Sequence, residues 1–149
     1  MKDIDFELIN AKIDIIEKNL NLLKEISNEE EENFISNFRD IQAAKHSLQE
    51  SIESCIDISN HIISSNGFQR AETYSEIFEI LSKKKIIPEK LSKKLQDMSK
   101  FRNLLVHQYG KVDEEELYSI MKEDLKDIEE FVKTILKLNT PPKNKNKFS

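Results

Sequence analysis

The sequence predicts an all-α fold, an antiparallel bundle of about five helices. Two observations support this prediction. The 149 residues include only two glycines and three prolines, whereas good helix formers are abundant. Apolar residues also recur every three or four positions over long segments, which is the period of one helix face. A chain of this length can bury a sufficient core, so we expect a single helical domain over residues 1–139.

The first predicted helix carries a heptad stripe of apolar residues. These residues follow one another at alternating steps of three and four: Phe6, Ile9, Ile13, Ile16, Leu20 and Leu23. Such a stripe must pack against other helices. The segment SNEEEEN (Ser27 to Asn33) interrupts the period with a block of like charge, and we expect it to be a solvated connector.

A second, longer helix follows the connector. Its apolar stripe consists of Phe34, Phe38, Ile41, Leu48, Ile52, Cys55 and Ile62. Asn66 and Gly67 provide the stop signal, because glycine accepts the left-handed conformation at a helix C-terminus.

Capping signals mark two shorter helices. Thr73 with Glu76 forms a capping box for a third helix that carries Ile77, Phe78, Ile80 and Leu81. Lys83, Lys84 and Lys85 suit the C-terminal dipole of that helix. Pro88 fits the first turn of a fourth helix, with a stripe of Leu91, Leu95 and Met98.

The fifth predicted helix starts near Asp113, with Glu116 completing a second capping box. Its inward face comprises Leu117, Ile120, Leu125, Ile128, Phe131 or Val132, and Ile135. The segment from Thr140, TPPKNKNKFS, lacks periodicity. We expect residues 140–149 to form a disordered basic tail.

Composition excludes several classes of protein. Cys55 is the only cysteine, which rules out an intramolecular disulfide and suits a reducing compartment; the residue is expected to fill the core as a small apolar side chain. The N-terminal segment lacks the pattern of a signal peptide, and no apolar run reaches the ~20 residues of a membrane span. We therefore expect a cytoplasmic protein that does not enter the membrane.

Charge is unevenly distributed along the chain. The formal net charge is −5, which argues against general adhesion to nucleic acid. However, residues 1–32 hold ten acidic and four basic side chains, whereas residues 82–102 hold eight basic and two acidic ones. A solvated lysine face explains any one of these lysines, but the basic segment leads directly into a group of unusual residues.

Arg102 is the first of these residues. The stripe of the fourth helix continues through Arg102, Leu105 and Tyr109, so an arginine occupies an apolar position. A buried guanidinium must find a carboxylate, a phosphate or a water-filled cleft, unless its side chain reaches out at the helix end. Asn103 and His107 are four residues apart and share a neighbouring face. Arg102 and His107 lie about 140° apart on an ideal helix, so their convergence requires a loosened helix, which Gly110 favours.

Each residue also has a structural interpretation. His107 suits a helix C-terminal dipole, and the Tyr109 ring suits a core position with its hydroxyl at the surface. On the second helix, Asp57 and His61 are spaced as a solvated i,i+4 pair, and we leave them out of the site. His46 and His61 stand alone, so we expect no metal site.

FRNLLVHQY resembles the R-x4-H-x-Y signature of HepT-like toxins in the HEPN superfamily, including the Asn that follows the Arg. The resemblance spans nearly the whole chain and agrees with the helix order above. It implies a HEPN-like homodimer in which two motifs face a shared cleft. It also implies a metal-independent ribonuclease without a cofactor, acting on RNA such as tRNA or mRNA.

The resemblance also implies a role for each motif residue. His107 would move the proton of the attacking ribose 2′-hydroxyl, since an ordinary histidine pKa of ~6.5 suits acid–base work. Arg102 would stabilise charge on the phosphate, and Asn103 would orient His107 or bind a phosphate oxygen. Tyr109 would accept AMP from a minimal nucleotidyltransferase antitoxin of the MNT type, and the added phosphate would block the cleft.

Two other functions remain open at this stage. The chain could be a non-catalytic subunit that binds substrate or nucleotide for a nucleotidyltransferase complex, or a structural helical adaptor with a chance motif. The Arg-Asn-His-Tyr set favours the toxin over the adaptor. It barely separates the toxin from the binding subunit, which only RNA cleavage would distinguish.

Overall fold

The computed structural model describes residues 3–139, and within this range the ordered elements are helical, with no β-strand. A short 3-10 helix, Tyr109–Lys111, lies between two of the α-helices. The α-helices are α1 (Phe6–Ser27), α2 (Glu31–Ile35), α3 (Phe38–Ser65), α4 (Tyr74–Lys83), α5 (Glu89–His107), α6 (Glu114–Glu123) and α7 (Leu125–Asn139). The predicted all-α fold is confirmed. The expected tail, residues 140–149, lies outside the described residues.

The two longest helices, α1 and α3, form an antiparallel pair. Lys12 contacts Asp57 at 2.9 Å near one end, and Asn19 Nδ2 donates to Glu50 Oε1 at 2.8 Å nearer the other. The α1 stripe is buried within this single chain, at Ile9, Ile13, Ile16, Leu20 and Leu23. Burial of that stripe supplies much of the apolar contact that holds the pair together.

A second hairpin, α4 with α5, packs on α3 and is closed by α7. Ser92 Oγ on α5 donates to the Phe78 carbonyl oxygen on α4 at 2.8 Å, which joins the two helices in the interior. Phe78 meets Phe131 of α7 edge to face, with ring centroids 6.4 Å apart. The helices therefore share one core, in which α3 packs against both α1 and the α4–α5 hairpin.

The segment predicted as a solvated connector is partly helical. Glu31–Ile35 forms α2, and its Phe34 is fully buried. The Phe34 ring packs against Tyr118 of α6 at 5.6 Å between centroids, and the Tyr118 hydroxyl donates to the Glu29 carbonyl oxygen at 2.6 Å. The glutamates face solvent while one aromatic residue anchors the turn, a contact that local charge cannot reveal.

The predicted start of the second helix was also wrong. Asn37 caps α3 by accepting from the Asp40 backbone N–H at 3.1 Å, so the helix begins at Phe38. Phe34 belongs to a separate helix, so its four-residue spacing to Phe38 does not place the two side chains on one helix face. Phe38, expected in the stripe, is 74% exposed. The buried stripe of α3 begins at Ile41.

The fifth predicted helix is two helices, α6 and α7, separated at Asp124. The buried residues Leu117, Met121 and Leu125 follow one another at steps of four through the break, so periodicity gave no sign of it. Ile120 is only half-buried, whereas Phe131 and Val132 are both buried. Pro88 precedes the first residue of α5 instead of lying in its first turn.

Several local predictions are confirmed. After α3, Gly67 takes a φ of +67° and the Phe68 N–H donates to the Ile63 carbonyl oxygen at 3.0 Å, which is the Schellman arrangement expected at Asn66 and Gly67. Thr73 Oγ1 caps α4 by accepting from the Glu76 N–H at 3.0 Å. Cys55 is buried, and burial raises the pKa of its thiol, so it stays protonated as an apolar filler. No helix within residues 3–139 is long and apolar enough to cross a membrane.

Candidate active site

Arg102 lies on α5 and is held by two neighbouring helices. Its Nε and Nη2 atoms donate to Glu53 Oε2 on α3, at 3.0 and 2.8 Å. Its guanidinium carbon lies 4.8 Å from the ring centroid of Tyr74 on α4. Only 15% of the side chain is exposed. The sequence left open whether Arg102 pairs inside the bundle or reaches out to solvent at the helix end. The structure shows that its guanidinium points inward and pairs with the carboxylate of Glu53.

Asn103 is exposed and is joined to Arg102. Its Oδ1 accepts from Arg102 Nη1 at 3.2 Å. Asn103 also forms part of the wall of an open cavity of about 900 Å³ between α3, α4 and the loop that connects them. The Asn103 amide therefore binds the guanidinium through Oδ1 and also borders the open cavity.

His107 is the last residue of α5 and is exposed. It shares a face with Asn103 one turn earlier, as expected from their spacing. No hydrogen bond or ion pair joins His107 to Arg102 or Asn103 in the part of the chain that the structure describes. The helix ends here because Gln108 leaves the helical conformation (φ −136°, ψ 46°), two residues before Gly110. The imidazole is thus free to meet a ligand from solvent.

Tyr109 follows in the 3-10 helix and is fixed by a buried lysine of α3. Lys45 Nζ lies 4.5 Å from the centre of the Tyr109 ring and donates to the Tyr109 carbonyl oxygen at 3.1 Å. Lys45 is only 7% exposed. No residue within 3–139 forms a hydrogen bond with the Tyr109 hydroxyl. The ring is anchored while the hydroxyl keeps its bonding capacity.

The helix α3 is the common support of the site. Lys45 contacts Tyr109 and Glu53 contacts Arg102, so α3 and α5 run antiparallel. A guanidinium has five N–H donors, three of which are used in the bonds to Glu53 and Asn103. Two donors remain for an anion. With the exposed His107 imidazole, this surface offers a fixed cation, an amide and an acid–base group.

Three residues that hold the site, Lys45, Glu53 and Tyr74, were not predicted from the sequence. Lys45 lies four residues after Ile41 and three before Leu48, a stripe position equivalent to that of Arg102 on its own helix. The argument that a charged residue on an apolar stripe needs a partner therefore applied to Lys45 as well. Glu53 is one of several acids on α3, and without the helix pairing nothing distinguished it. Tyr74, at the first position of α4, carried no signal.

Other reactive side chains belong to the scaffold. Asp57 pairs with Lys12, and His61 Nε2 accepts from the Asp5 N–H at 2.8 Å, so these two do not form the expected i,i+4 pair. His46 lies on the surface, 4.0 Å from Glu50. Within residues 3–139, no three His, Cys, Asp or Glu side chains are arranged to hold a metal ion. Metal independence of the chemistry stays a prediction.

Comparisons with known proteins identify the family of the sequence and the type of fold. The family model described as "Ribonuclease HepT-like" matches residues 16–135. A tRNA nuclease HepT from Aphanizomenon flos-aquae is 29% identical over 118 residues, covering 79% of this chain and 80% of that protein. An mRNA nuclease HepT from Shewanella oneidensis is 31% identical over 88 residues, covering 59% of this chain and 66% of the relative.

A solved structure agrees over nearly the full length. It is the tri-AMPylated Shewanella oneidensis HEPN toxin in complex with an MNT antitoxin, with a TM-score of 0.82 and 26% identity, covering 92% of this chain and 99% of that one. This likeness places the fold among HEPN-type helical proteins. More particularly, because the family model covers well over half of the sequence, the chain belongs to the ribonuclease HepT-like family.

Proposed function

We propose that this protein is the toxin of a HEPN/MNT toxin–antitoxin module and acts as an endoribonuclease at Arg102, Asn103 and His107. The observation that carries the proposal is the pairing of Arg102 with Glu53, which fixes a mostly buried guanidinium beside the exposed Asn103 and, with the Asn103 bond, leaves two N–H donors unused. The family membership and the two HepT nucleases similar to this chain support ribonuclease activity.

The proposed reaction follows from the chemistry of these side chains. The ribose 2′-hydroxyl attacks the adjacent phosphate while His107, in neutral form, accepts its proton. The two remaining donors of Arg102 stabilise the charge that grows on the phosphate oxygens. The bond to the 5′-oxygen of the next nucleotide breaks, and that oxygen takes up the proton that His107 accepted. The products are a 2′,3′-cyclic phosphate and a free 5′-hydroxyl.

Asn103 serves Arg102 in this proposal. Its Oδ1 fixes the guanidinium, while its Nδ2 remains available to a phosphate oxygen. The alternative expected from the sequence, that Asn103 orients His107, has no contact to support it among the described residues. No metal or other cofactor enters the proposed reaction.

Tyr109 is the proposed site of AMPylation by an MNT-type nucleotidyltransferase. The similar Shewanella oneidensis toxin is tri-AMPylated and in complex with an MNT antitoxin. Here the tyrosine is anchored through its ring and backbone by Lys45. AMP on the hydroxyl adds negative charge close to Arg102 and His107 and therefore competes with RNA.

We also infer a homodimer in which two motifs face one cleft. We further propose a cytoplasmic location and a tRNA or mRNA substrate. The exposure of Asn103, His107 and Gln108 leaves the motif at a surface that a second copy can face. The single domain over residues 1–139 is supported by the core that the described helices share.

Cleavage of labelled single-stranded RNA by the purified protein tests the proposed function. We expect fragments with 2′,3′-cyclic phosphate and 5′-hydroxyl ends, identified by mass. Binding of the same RNA without cleavage would instead support the non-catalytic subunit. Fragments with 5′-phosphate ends would contradict attack by the 2′-hydroxyl.

A further inference from the structure

The proposed chemistry leaves unused an open cavity that Asn103 helps to line. It measures about 900 Å³, within the ~300–1,000 Å³ of small-molecule sites. Its wall comes from the end of α3, the loop between α3 and α4, the first turns of α4, and one residue of α5, Asn103. The proposed phosphate site and the cavity therefore share a side chain.

The wall of the cavity has the chemistry of a nucleobase site. Phe68 and Tyr74 are aromatic, and Asn60 and Asn103 bring amides that both donate and accept. Arg70 and Glu72 are its charged residues, so the wall has no net formal charge. Phosphate would prefer a cationic site, whereas unstacked RNA bases bind aromatic faces and guanidinium planes and are recognised at their edges by amides.

The cavity also lies where an adjacent base would reach. Tyr74 lines it and carries the Arg102 guanidinium 4.8 Å from its ring centre. Along α3, Asn60 is seven residues from Glu53, which is two turns or about 10 Å on the same face. Tyr109 and its anchor Lys45 lie in the opposite direction from Glu53 along α3. The cavity therefore extends the site on the side away from Tyr109.

The geometry points to a nucleobase subsite: the cavity binds the base of the RNA nucleotide on one side of the cleaved phosphate. This inference rests on the proposed ribonuclease function and adds a substrate contact to it. The base stacks on the aromatic wall, and Asn60 and Arg70 contact its edge or face. The subsite holds the RNA so that the phosphate rests on Arg102.

The test uses a fluorescent single-stranded RNA with 2′-O-methyl groups at every nucleotide except the one before the cut. Asn60→Ala and Arg70→Ala are the variants, since both side chains are exposed on the cavity wall. Gln69→Ala is the matched control, because Gln69 is an exposed neighbour that does not line the cavity. Each variant should raise KM about tenfold with kcat within about twofold, as for a lost base contact. The control should match the parent.

Abasic substrates separate base contacts from charge. Removing the base at one position beside the cut should raise KM of the parent by a similar factor and should abolish the difference between parent and variants. The subsite is wrong if the variants keep the parent KM, or if their effect persists with every abasic RNA. The latter outcome would assign Arg70 to the phosphate backbone.

A binding measurement keeps this test distinct from the proposed function. Anisotropy with a fully 2′-O-methylated RNA reports binding even where the parent cuts nothing. Suppose that the variants bind this RNA more weakly than the parent and that the difference disappears with the abasic RNA. The subsite would then be supported even if the ribonuclease proposal fails. Equal binding by parent and variants would overturn the subsite while RNA cleavage by the parent still stands.

Discussion

Arg102 and Glu53 form a charged pair that is mostly covered by the bundle. Burying a guanidinium without a partner costs several kcal/mol, and Glu53 removes this cost through two contacts to one carboxylate oxygen. The same carboxylate competes with phosphate for the cation. We interpret Glu53 as a positioning residue, because it orients the guanidinium and leaves two donors directed elsewhere.

Substitution of Glu53 should therefore impair cleavage, and it should also lower the free energy of unfolding because Arg102 loses its partner. We expect Glu53→Ala to lower kcat/KM about 100-fold, the scale of a misplaced catalytic group, whereas Glu53→Gln, which keeps an acceptor oxygen, should lose less. Steady-state kinetics with circular dichroism checks this prediction. Faster cleavage by Glu53→Ala would show instead that Glu53 restrains Arg102.

Lys45 and Tyr109 form the second anchored pair of the site. The ammonium group contacts the ring and the carbonyl oxygen of Tyr109, and neither contact uses the hydroxyl. Ring position and hydroxyl chemistry can therefore be separated by removing one oxygen atom.

We expect Tyr109→Phe to cut RNA at the parent rate but to gain no AMP on co-expression with the cognate nucleotidyltransferase. The phenyl ring keeps its contact with Lys45, while the nucleophilic oxygen is gone. Intact mass and growth inhibition, with and without the partner, measure the two properties. Tyr118→Phe serves as the control for loss of a tyrosine hydroxyl, since Tyr118 lies on α6 outside the site. A gain of AMP mass by Tyr109→Phe would show that another residue accepts the AMP group.

At the scale of residues, the sequence showed that Arg102 occupies an apolar position but did not show which residue pairs with it. An arginine on an apolar stripe predicts a partner, and that partner exists. Its identity depends on how α3 pairs with α5 across 49 positions of sequence, which no local pattern encodes. Lys45 was detectable by the same stripe argument, whereas the contact of Arg102 with Tyr74 was not.

The C-termini of α3 and α4 show the same turn made by different residues. After α4, Lys85 takes a φ of +60° and the Ile86 N–H donates to the Leu81 carbonyl oxygen at 2.8 Å, as Gly67 and Phe68 do after α3. A left-handed conformation costs an L-residue with a Cβ about 1–2 kcal/mol, a cost that glycine avoids.

Lys85→Gly should therefore stabilise the protein by about 1 kcal/mol. The matched control is Lys83→Gly, at an exposed helical position of α4 where glycine brings a gain of unfolded-state entropy and no relief of strain; it should destabilise by about 0.5–1 kcal/mol. Urea unfolding measures both free energies. A loss of stability in Lys85→Gly would mean that the lysine side chain contributes more than the backbone strain removes.

At the scale of elements, periodicity predicted the long helices well and the connections poorly. Caps at Thr73 and the stop at Gly67 carry local signals, and these predictions held. The short helix α2 depends on Phe34 meeting Tyr118, a distant contact. The break between α6 and α7 leaves the apolar spacing intact, so the sequence pattern gave no reason to expect it.

At the scale of the whole molecule, the surface around the motif is where a second copy can pack. The heptad stripe of α1 offers little surface for a homodimer, because Ile9, Ile13, Ile16, Leu20 and Leu23 are buried within one chain. Val106 lies next to His107 and is 38% exposed, so it would be covered if two motifs faced each other.

We expect light scattering at micromolar concentration to give the mass of a dimer for the parent and of a monomer for Val106→Glu, because a buried unpaired carboxylate is costly. Leu8→Glu is the matched control, since Leu8 on α1 is also 38% exposed. It should remain dimeric. A monomeric parent, or a dimer retained by Val106→Glu, would count against a shared cleft at this surface.

The central claim is that Arg102 and His107 cleave RNA, and cleavage by single-residue variants tests it most directly. We expect Arg102→Ala and His107→Ala each to lower kcat at least about 100-fold. Both should stay folded, because His107 is exposed and the Glu53 side chain left by Arg102→Ala is 35% exposed and can be hydrated. His46→Ala, which removes an exposed histidine of α3, should match the parent. Cleavage by His107→Ala at the parent rate would contradict the account.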